Sequence, residues 1–261
     1  MRIVVKIGTS TLAHPGGRLN IRNVEELVKV LADLKNAGHE IILVSSGAIG
    51  MGIGKLNMDR AHMDVPAKQA AAAVGQCELM HTYDTLFLKY SHTVGQILIT
   101  SEDIEDPERR ENFENTMKTL LQFGALPIVN ENDTVATTEI NSVGDNDTLG
   151  AIVAKTIHAD ILILMSDIDG LFTADPNKDP DARLIETVEE ITKEIEAFAG
   201  DTDSGLGTGG MATKIGAAQM VTQSGCDMVI INGSNPNLLY DIVEGKSAGT
   251  LFKGNKEGII Q

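Results

Sequence analysis

Short apolar runs that alternate with helix-like segments are the feature that most constrains the fold of this chain. Aliphatic residues dominate the runs at 3–7, 40–44, 126–129, 161–165 and 227–231. Strands of this kind are typical of parallel sheets that are buried on both faces and connected by helices. We therefore predict an α/β fold, a three-layer αβα sandwich with a mostly parallel central sheet.

The intervening segments show helical or extended patterns. Between 21 and 37, apolar residues recur at helical spacing, with Asn20 as the expected N-cap and Gly38 as the stop. Similar patterns predict helices at 65–89, 108–123, 148–158, 188–198 and 211–224, an extended segment at 93–98 and a β-hairpin at 134–143. Segments 238–243 and 250–252 are the last elements that we expect along the chain.

The charge balance limits the partners of the chain. The 261 residues have a formal net charge of −16, which argues against nucleic acid or an anionic membrane as a partner. The apolar runs are too short to span a bilayer, and because Met1-Arg2 leads directly into the first run, we expect no signal peptide. Because only two cysteines occur, far apart, we expect free thiols in a reducing compartment and a cytoplasmic location.

A glycine-rich segment is the clearest candidate for binding an anion. Residues 205–210 read Gly-Leu-Gly-Thr-Gly-Gly and lead into the predicted helix 211–224, with Lys214 about one turn inside it. Glycines let backbone N–H groups approach a ligand, and a helix N-terminus adds unpaired donors and a positive dipole end. This combination suits phosphate; the alternative is an ordinary glycine-rich surface loop.

The segment does not match the two common nucleotide fingerprints. The preceding residues 200–204 are polar and do not resemble a strand, and Ile230 stands about where a dinucleotide site needs an acidic residue. Met211 follows Gly210 where a Walker loop has lysine. Because the chain is strongly acidic, a phosphate site must be locally positive, built from a few lysines, helix N-termini and a divalent cation.

Lys6 stands out in the first predicted strand, where the other residues are aliphatic. A buried ammonium is costly unless it meets an anion, and Gly8 follows with a backbone N–H that we expect to bind the same ligand. The alternative is an edge-strand lysine that reaches solvent. At the end of the second strand, Ser45-Ser46-Gly47 offers hydroxyls and a helix N-terminus, with simple helix capping as the alternative.

Three further polar clusters follow predicted strands or the hairpin. Residues 130–133 read Asn-Glu-Asn-Asp and residues 144–147 read Gly-Asp-Asn-Asp, which suits a small zwitterion because carboxylates bind its ammonium and amides bind its carboxylate. Residues 166–170 read Ser-Asp-Ile-Asp-Gly, whose acids can hold a lysine or contact Mg²⁺. For each cluster the alternative is plain turn chemistry. No histidine spacing indicates a metal site or a catalytic triad.

Taken together, these segments resemble the amino acid kinase family. The resemblance rests on residues 5–10, 44–48, 129–133, 144–147, 166–167, 173–176 and 204–211 with Lys214, which occur in the family's order and cover nearly the whole chain. Each motif is weak alone, but their combination is highly specific. The Asn-Glu-Asn-Asp and Gly-Asp-Asn-Asp pair separates this chain from relatives that act on acetylglutamate, carbamate, aspartate or UMP.

The resemblance implies ATP-dependent phosphorylation of the side-chain carboxylate of L-glutamate to L-glutamyl 5-phosphate, the first step of proline biosynthesis. It implies glutamate binding by Ser46, Asp133 and Asn146, and Asp147 resembles the acid that organises the two lysines. The ATP side, with Mg²⁺ but no assigned protein ligand of the metal, is expected at Lys6, Ser166, Asp167, Thr208, Gly209, Gly210, Met211, Ala212, Thr213 and Lys214.

The chemistry of the residues agrees with this reaction. A carboxylate nucleophile is already ionised at neutral pH, so no general base is needed. The obstacle is repulsion between anions and the charge on the transferring group, which positioning and positive charge overcome. We therefore expect Lys6 and Lys214 to flank the phosphoryl group, with Asp147 and Gly8 as the other catalytic residues.

The resemblance also predicts the organisation and the assembly of the chain. We expect a single kinase domain in which residues 1–159 form the glutamate side and residues 160–261 the ATP side, without the C-terminal PUA domain that many members have. A homo-oligomer, dimer or tetramer, is expected by resemblance only. Two alternatives stay open: a related kinase that forms an acyl phosphate on another acid, and a non-catalytic sensor of nucleotides or amino acids.

Overall fold

The computed structural model describes residues 1–14, 18–59, 63–136, 145–176, 178–198 and 210–256. In this part of the chain one sheet contains eight strands: β1 (Arg2–Ile7), β2 (Glu40–Ser45), β3 (Val94–Ile99), β4 (Leu126–Glu131), β5 (Ile161–Ser166), β6 (Thr187–Val188), β7 (Asp227–Asn232) and β8 (Thr250–Phe252). Their spatial order is β3-β4-β2-β1-β5-β7-β8-β6. Only the β7–β8 pair is antiparallel, so the predicted mostly parallel sheet is confirmed.

Helices cover both faces of this sheet. The described helices are α1 (Thr9–Leu12), α2 (Ile21–Asn36), α3 (Ala48–Leu56), α4 (Val65–Leu88), α5 (Ser101–Glu105), α6 (Pro107–Gln122), α7 (Asn146–Thr156), α8 (Lys193–Phe198), α9 (Met211–Thr222) and α10 (Leu238–Val243). The side chain of Asn20 accepts a hydrogen bond from the Asn23 N–H, which confirms the predicted N-cap of α2. No helix of the described ranges is long and apolar enough to cross a membrane.

Two cores lie on opposite faces of the sheet because successive strand residues point in opposite directions. Val4 faces a core that includes residues of α6, α7 and α9, whereas Val5 faces a core that includes residues of α2 and α4. Lys6 has the same parity as Val4, so its side chain points toward the α7 and α9 side. This register brings the one lysine of β1 to the layer that contains Lys214.

The predicted helix at 188–198 is partly wrong. Residues 187 and 188 form β6, whose backbone pairs with β8, and the helix begins only at Lys193. Val188 is 4% exposed, so its burial at the edge of the sheet outweighs the local helical pattern. Of the predicted hairpin at 134–143, residues 134–136 are described as turn and loop, and residues 137–143 lie outside the described part of the chain.

Helices α3 and α4 cross unusually closely. A Cβ added at Gly52 would lie 1.8 Å from the main-chain oxygen of Ala71, and one added at Gly75 would lie 1.7 Å from that of Ala48. Real Cβ atoms do not tolerate such distances, so the crossing requires glycine at both positions. Because α3 begins directly after the turn that ends β2, this contact fixes α4 relative to one edge of the site described next.

Candidate active site

Polar residues converge where the central parallel strands end. Lys6 and Gly8 lie at the end of β1, Ser46 follows β2, Asn130 lies near the end of β4, and Ser166 ends β5. The N-termini of α7 and α9 lie beside them: Asp147 of α7 contacts Lys6, and Lys214 of α9 contacts Asp147. Ligands of open α/β sheets bind at this edge, beyond the carboxyl ends of the strands.

The centre of the site is an ionic triad of Lys6, Asp147 and Lys214. One oxygen of Asp147, Oδ1, lies 2.5 Å from Lys6 Nζ, and the other, Oδ2, lies 2.9 Å from Lys214 Nζ. The three residues are only 6%, 1% and 4% exposed. The structure therefore brings together the two lysines that the sequence predicted to converge, and it places the predicted acid between them.

The position of Lys6 excludes the alternative of an edge strand. β1 pairs with β2 on one side and with β5 on the other, so Lys6 lies in the middle of the sheet. Gly150 of α7 allows the helix to approach, since a Cβ at that residue would lie 3.3 Å from the Cβ of Lys6. Lys6 is thus held between a tightly packed helix and the sheet, with its ammonium at the edge where ligands bind.

The electrostatics of the triad favour an anion. Burial alone would raise the pKa of Asp147, but the charges and hydrogen bonds of Lys6 and Lys214 outweigh it and hold this pKa below its usual value. Two ammonium groups and one ionised carboxylate give the triad itself a charge of +1, in a chain whose net charge is −16. Burial, followed by the charge of Asp147, raises the pKa of the neighbouring Asp145.

Helix α9 supplies further donors for an anion. Gly210 is its N-cap and has no side-chain cap, while the Thr213 hydroxyl donates to the Gly210 carbonyl oxygen at 2.7 Å and lies 3.5 Å from Asp147 Oδ2. The first N–H groups of a helix lack partners within the helix and form a positive end. Met211 is buried and Ala212 is exposed. Two other predicted residues of this segment, Thr208 and Gly209, lie outside the described residues.

Ser46 and Asn146 form a second group on the β2 side of Lys6. The amide nitrogen Nδ2 of Asn146 donates to Ser46 Oγ at 2.7 Å and to the Ser45 carbonyl oxygen at 3.2 Å. Simple helix capping by these serines is wrong, because the N-cap of α3 is Gly47, with a φ of 95°, and it has no side-chain cap. The Ser45 hydroxyl instead lies 2.9 Å from the hydroxyl of Tyr83.

Asp133 lies in the turn that follows β4. Within the described part of the chain, no hydrogen bond joins it to Ser46 or Asn146, so these three predicted substrate ligands do not form one hydrogen-bonded cluster. Burial raises the pKa of Asp133 to about 6. Burial, and then the charge of Asp133, also raise the pKa of Glu131. Among the described residues no cation forms an ion pair with Asp133, and a partly buried carboxylate of this kind is suited to receive a cationic group of a ligand.

Ser166 and Asp167 lie on the other side of β1, at the end of β5. Ser166 is buried, and its hydroxyl donates to Asp167 Oδ1 at 3.0 Å, while its carbonyl oxygen accepts from the Gly233 N–H at 2.7 Å. Asp167 is exposed. Strands β2 and β5 are two strand spacings apart, about 10 Å, so the two polar groups flank Lys6 from opposite sides.

Gly8 differs from its predicted role. We expected its backbone N–H to donate to the ligand, but in the structure this N–H donates to the Met165 carbonyl oxygen at 3.1 Å. The pairing arises because the chain continues the β1–β5 ladder by one residue past the end of β1. What Gly8 contributes is space, because a Cβ there would lie 3.9 Å from Lys6 Nζ.

Sequence reasoning missed the contribution of α4. Its residues Gln76 and Tyr83 contact Asn130 and Ser45 through side-chain hydrogen bonds of 2.9 Å each. Because these partners are more than 35 residues away in the sequence, no local pattern reveals them. The one available signal was Gly75, a glycine inside a helical segment, which often marks a close packing contact.

The arrangement can bind two anionic or zwitterionic groups on either side of two buried ammonium groups. Among the described residues, no group of three or more His, Cys, Asp or Glu side chains is placed to hold a metal ion. Asp147, the carboxylate of the triad, is poorly suited to remove a proton, because both its oxygens contact ammonium groups and its pKa is lowered. The geometry therefore suits the transfer of a charged group between two ligands rather than proton abstraction.

Comparison with known proteins agrees with this class of site. The model of the Amino acid kinase family matches residues 1–232. The chain is 54% identical to the glutamate 5-kinase of Clostridium tetani over 254 residues, which are 97% of this chain and 95% of that protein. It is 49% identical to the glutamate 5-kinase of Listeria innocua over 98% of this chain and 94% of that protein. The chain belongs to the amino acid kinase family.

Solved structures confirm the fold. Carbamate kinase from Giardia lamblia bound to AMP-PNP is similar with a TM-score of 0.68 at 16% sequence identity, covering 97% of this chain and 98% of that chain. UMP kinase from Ureaplasma parvum is similar with a TM-score of 0.64, also at 16% identity and with the same coverage. At these identities the likeness concerns the fold alone.

Proposed function

We propose that this chain is an ATP-dependent kinase that phosphorylates the side-chain carboxylate of L-glutamate to L-glutamyl 5-phosphate, the first step of proline biosynthesis. The observation on which this depends most is the buried triad, in which Asp147 binds Lys6 and Lys214 with separate oxygens. The name shared by the relatives at 48–54% identity supports glutamate as the acceptor.

In this reaction an oxygen of the glutamate side-chain carboxylate attacks the γ-phosphorus of ATP, and the bond from that phosphorus to the bridging oxygen of ADP breaks. The carboxylate is ionised at neutral pH and needs no base. Lys6 and Lys214 offset the charge on the transferring group, and Asp147 keeps the two ammonium groups in place. The burial and the short contacts of the triad support these roles.

We place glutamate on the β2 and β4 side and ATP on the β5 and α9 side. Ser46 and Asn146 would bind the amino acid through hydroxyl and amide groups, and Asp133 would bind its ammonium. Ser166, Asp167 and the N-terminus of α9 would hold the nucleotide. The glutamate side thus belongs to residues 1–159 and the ATP side to residues 160–261, within one kinase domain.

Mg²⁺ would enter with the nucleotide and would offset the negative charge of its phosphates. The described residues fit such an ion at one point: Asp145 Oδ2 is buried and has no hydrogen-bond partner there, and carboxylate oxygen is a ligand that Mg²⁺ prefers. We further expect a cytoplasmic homo-oligomer, a dimer or a tetramer. Gel filtration with light scattering tests the assembly.

One assay separates this proposal from its alternatives. The purified protein is incubated with ATP, Mg²⁺, hydroxylamine and single acids (glutamate, aspartate, acetylglutamate), and hydroxamate and ADP are both measured. Hydroxamate with glutamate alone supports the proposal. Hydroxamate with another acid would show a related kinase, and neither product with any acid would favour a sensor.

A further inference from the structure

Gln76 of α4 has an unusual hydrogen-bonding state. Its side chain is 9% exposed, and its oxygen Oε1 accepts from Asn130 Nδ2 at 2.9 Å. Its nitrogen Nε2 is buried and has no hydrogen-bond partner in the part of the chain that the structure describes. Buried polar atoms are nearly always paired, so an unpaired amide nitrogen requires an explanation.

The orientation of this amide is determined by backbone groups whose roles cannot change. The Ser45 carbonyl oxygen can only accept, so the Asn146 atom 3.2 Å from it is the nitrogen Nδ2. The Glu131 N–H can only donate, so the Asn130 atom 2.9 Å from it is the oxygen Oδ1. Asn130 therefore presents its nitrogen to Gln76, and the atom of Gln76 that faces it must be the oxygen.

Stability alone does not explain glutamine at this position. Leucine or methionine would fill a similar volume and would leave the same number of unpaired amide nitrogens, because Asn130 Nδ2 would lose its acceptor in place of Gln76 Nε2. What glutamine adds is one acceptor for Asn130, whose own oxygen lies 3.4 Å from Asn146 Nδ2. Asn146 in turn donates to Ser46 Oγ at 2.7 Å. A chain of side-chain contacts thus leads from α4 to the two residues expected to bind the amino acid.

Two contacts with the segment at residues 45–48 position helix α4, which carries Gln76. Gly75, next to Gln76, lies at the close crossing with α3, where a Cβ would meet the Ala48 carbonyl oxygen at 1.7 Å. Two turns further along the helix, the fully buried Tyr83 contacts Ser45 Oγ at 2.9 Å. Both contacts involve the segment that carries Ser46, so they fix the position of Gln76 relative to the predicted substrate-binding turn.

We infer that Gln76 is a positioning residue for the amino-acid substrate, which orients Asn130 and, through it, the amide of Asn146. The inference rests on the proposed function, because it takes Asn146 as a substrate ligand. Gln76 itself need not touch the substrate. Its loss should therefore weaken binding of the acid without altering ATP binding or the phosphoryl-transfer step.

The test compares Gln76→Met, Gln76→Glu, Asn130→Ala and the Gln76→Met/Asn130→Ala double variant. For Gln76→Met we expect the KM for the acid to rise at least tenfold, with kcat and the KM for ATP within threefold of wild type. The double variant should have nearly the same KM as Asn130→Ala alone, since Gln76 acts through Asn130. Unchanged KM in Gln76→Met, or effects that multiply in the double variant, would overturn the inference.

Two controls distinguish positioning from general damage. Gln76→Glu keeps an oxygen toward Asn130, and burial favours the neutral form of the new carboxyl group, so at pH 6.5 the KM for the acid should stay within about threefold of wild type. An increase of tenfold or more in Gln76→Glu would contradict the inference, and this result can be read even if Gln76→Met does not fold. Thr250→Val removes a buried hydrogen bond of 2.8 Å and a partly buried one of 2.6 Å at β8, so it should lower the melting temperature and leave the KM for the acid unchanged. A similar KM increase in Thr250→Val would refute a specific role.

The same experiment separates this inference from the proposed function. Wild-type turnover with glutamate tests the function, and the ratio of variant to wild-type KM tests Gln76. If the wild type uses another acid, the ratio is measured with that acid, and only the glutamate assignment fails. If it uses none of the acids, both conclusions are overturned.

Discussion

Replacing Gly8 by alanine tests where the transferring group passes. Gly8 has φ −78° and ψ 157°, which alanine adopts without strain. The added methyl would lie 3.5 Å from the Met165 carbonyl oxygen, 3.8 Å from Ser10 Oγ and 3.9 Å from Lys6 Nζ, all ordinary contacts. Because alanine also restricts the unfolded chain, we expect the free energy of unfolding to stay the same or rise by up to about 1 kcal/mol.

The same methyl occupies space beside the ammonium of Lys6. An anionic oxygen bound to that ammonium would lie about 2.8 Å from the nitrogen. If the group bound by Lys6 lies on the Gly8 side, it must move by about 1 Å to avoid the methyl, and a misplacement of this size costs about 100-fold in rate. We therefore expect kcat to fall about 100-fold in a protein that is fully folded.

The assay combines hydroxamate formation with thermal unfolding. The matched control is Gly216→Ala, which places a methyl at an exposed site inside α9 with no atom within 4 Å. It should leave kcat at the wild-type value and raise the melting temperature slightly, because alanine favours a helix more than glycine does. Wild-type kcat in Gly8→Ala would refute a phosphoryl path beside this residue. A lower melting temperature in Gly8→Ala would refute the packing argument instead.

Three further predictions concern the triad, the substrate carboxylate and the helix crossing. Lys6→Met or Lys214→Met should lower kcat at least 100-fold, and more than either raises the KM for glutamate, because each ammonium acts on the transferring group; steady-state kinetics with wild-type kcat in either variant would contradict this. Since burial raises the pKa of Asp133 to about 6, the KM for glutamate should rise as the pH falls below 6, and the KM of Asp133→Asn should be high and independent of pH. The free energy of unfolding of the unliganded protein should rise as the pH falls from 6 toward 4, because the folded state takes up this proton more readily than the unfolded state. Gly75→Ala places a Cβ 1.7 Å from a main-chain oxygen of α3 and should cost at least about 2 kcal/mol, measured by urea unfolding; an unchanged midpoint would mean that the helices separate at no cost.

Much of the site was predictable because its residues follow strands in the sequence. Lys6 is the only charged residue in the interior of its apolar strand, and Asp147 begins a segment with helical periodicity. In a parallel sheet the ends of neighbouring strands meet at one edge, so residues distant in sequence converge there. The convergence of Lys6 with Lys214 on Asp147 follows from that rule.

The remainder depended on information that local patterns do not contain. Whether Lys6 lay at an edge or in the centre depended on strand order, which only the pairing of β1 with both β2 and β5 decides. The N–H of Gly8 was expected to be available, but the ladder extends one residue further than the apolar run. Val188 lies in β6, which joins the sheet by pairing with β8, a strand more than 60 residues later in the sequence.

The placement of a carboxylate between two lysines resolves a conflict that the acidic chain would otherwise face. Two ammonium groups buried side by side repel each other and lose hydration, so without Asp147 the lysines would be driven apart or toward solvent. With Asp147 each lysine has a short contact to a carboxylate oxygen and the triad still has a net positive charge, so in the proposed reaction it would attract an arriving phosphoryl group. The low exposure of all three residues strengthens that attraction because little water competes. In the proposed reaction, Asp147 would thereby keep the two cations together until the transferring group arrives.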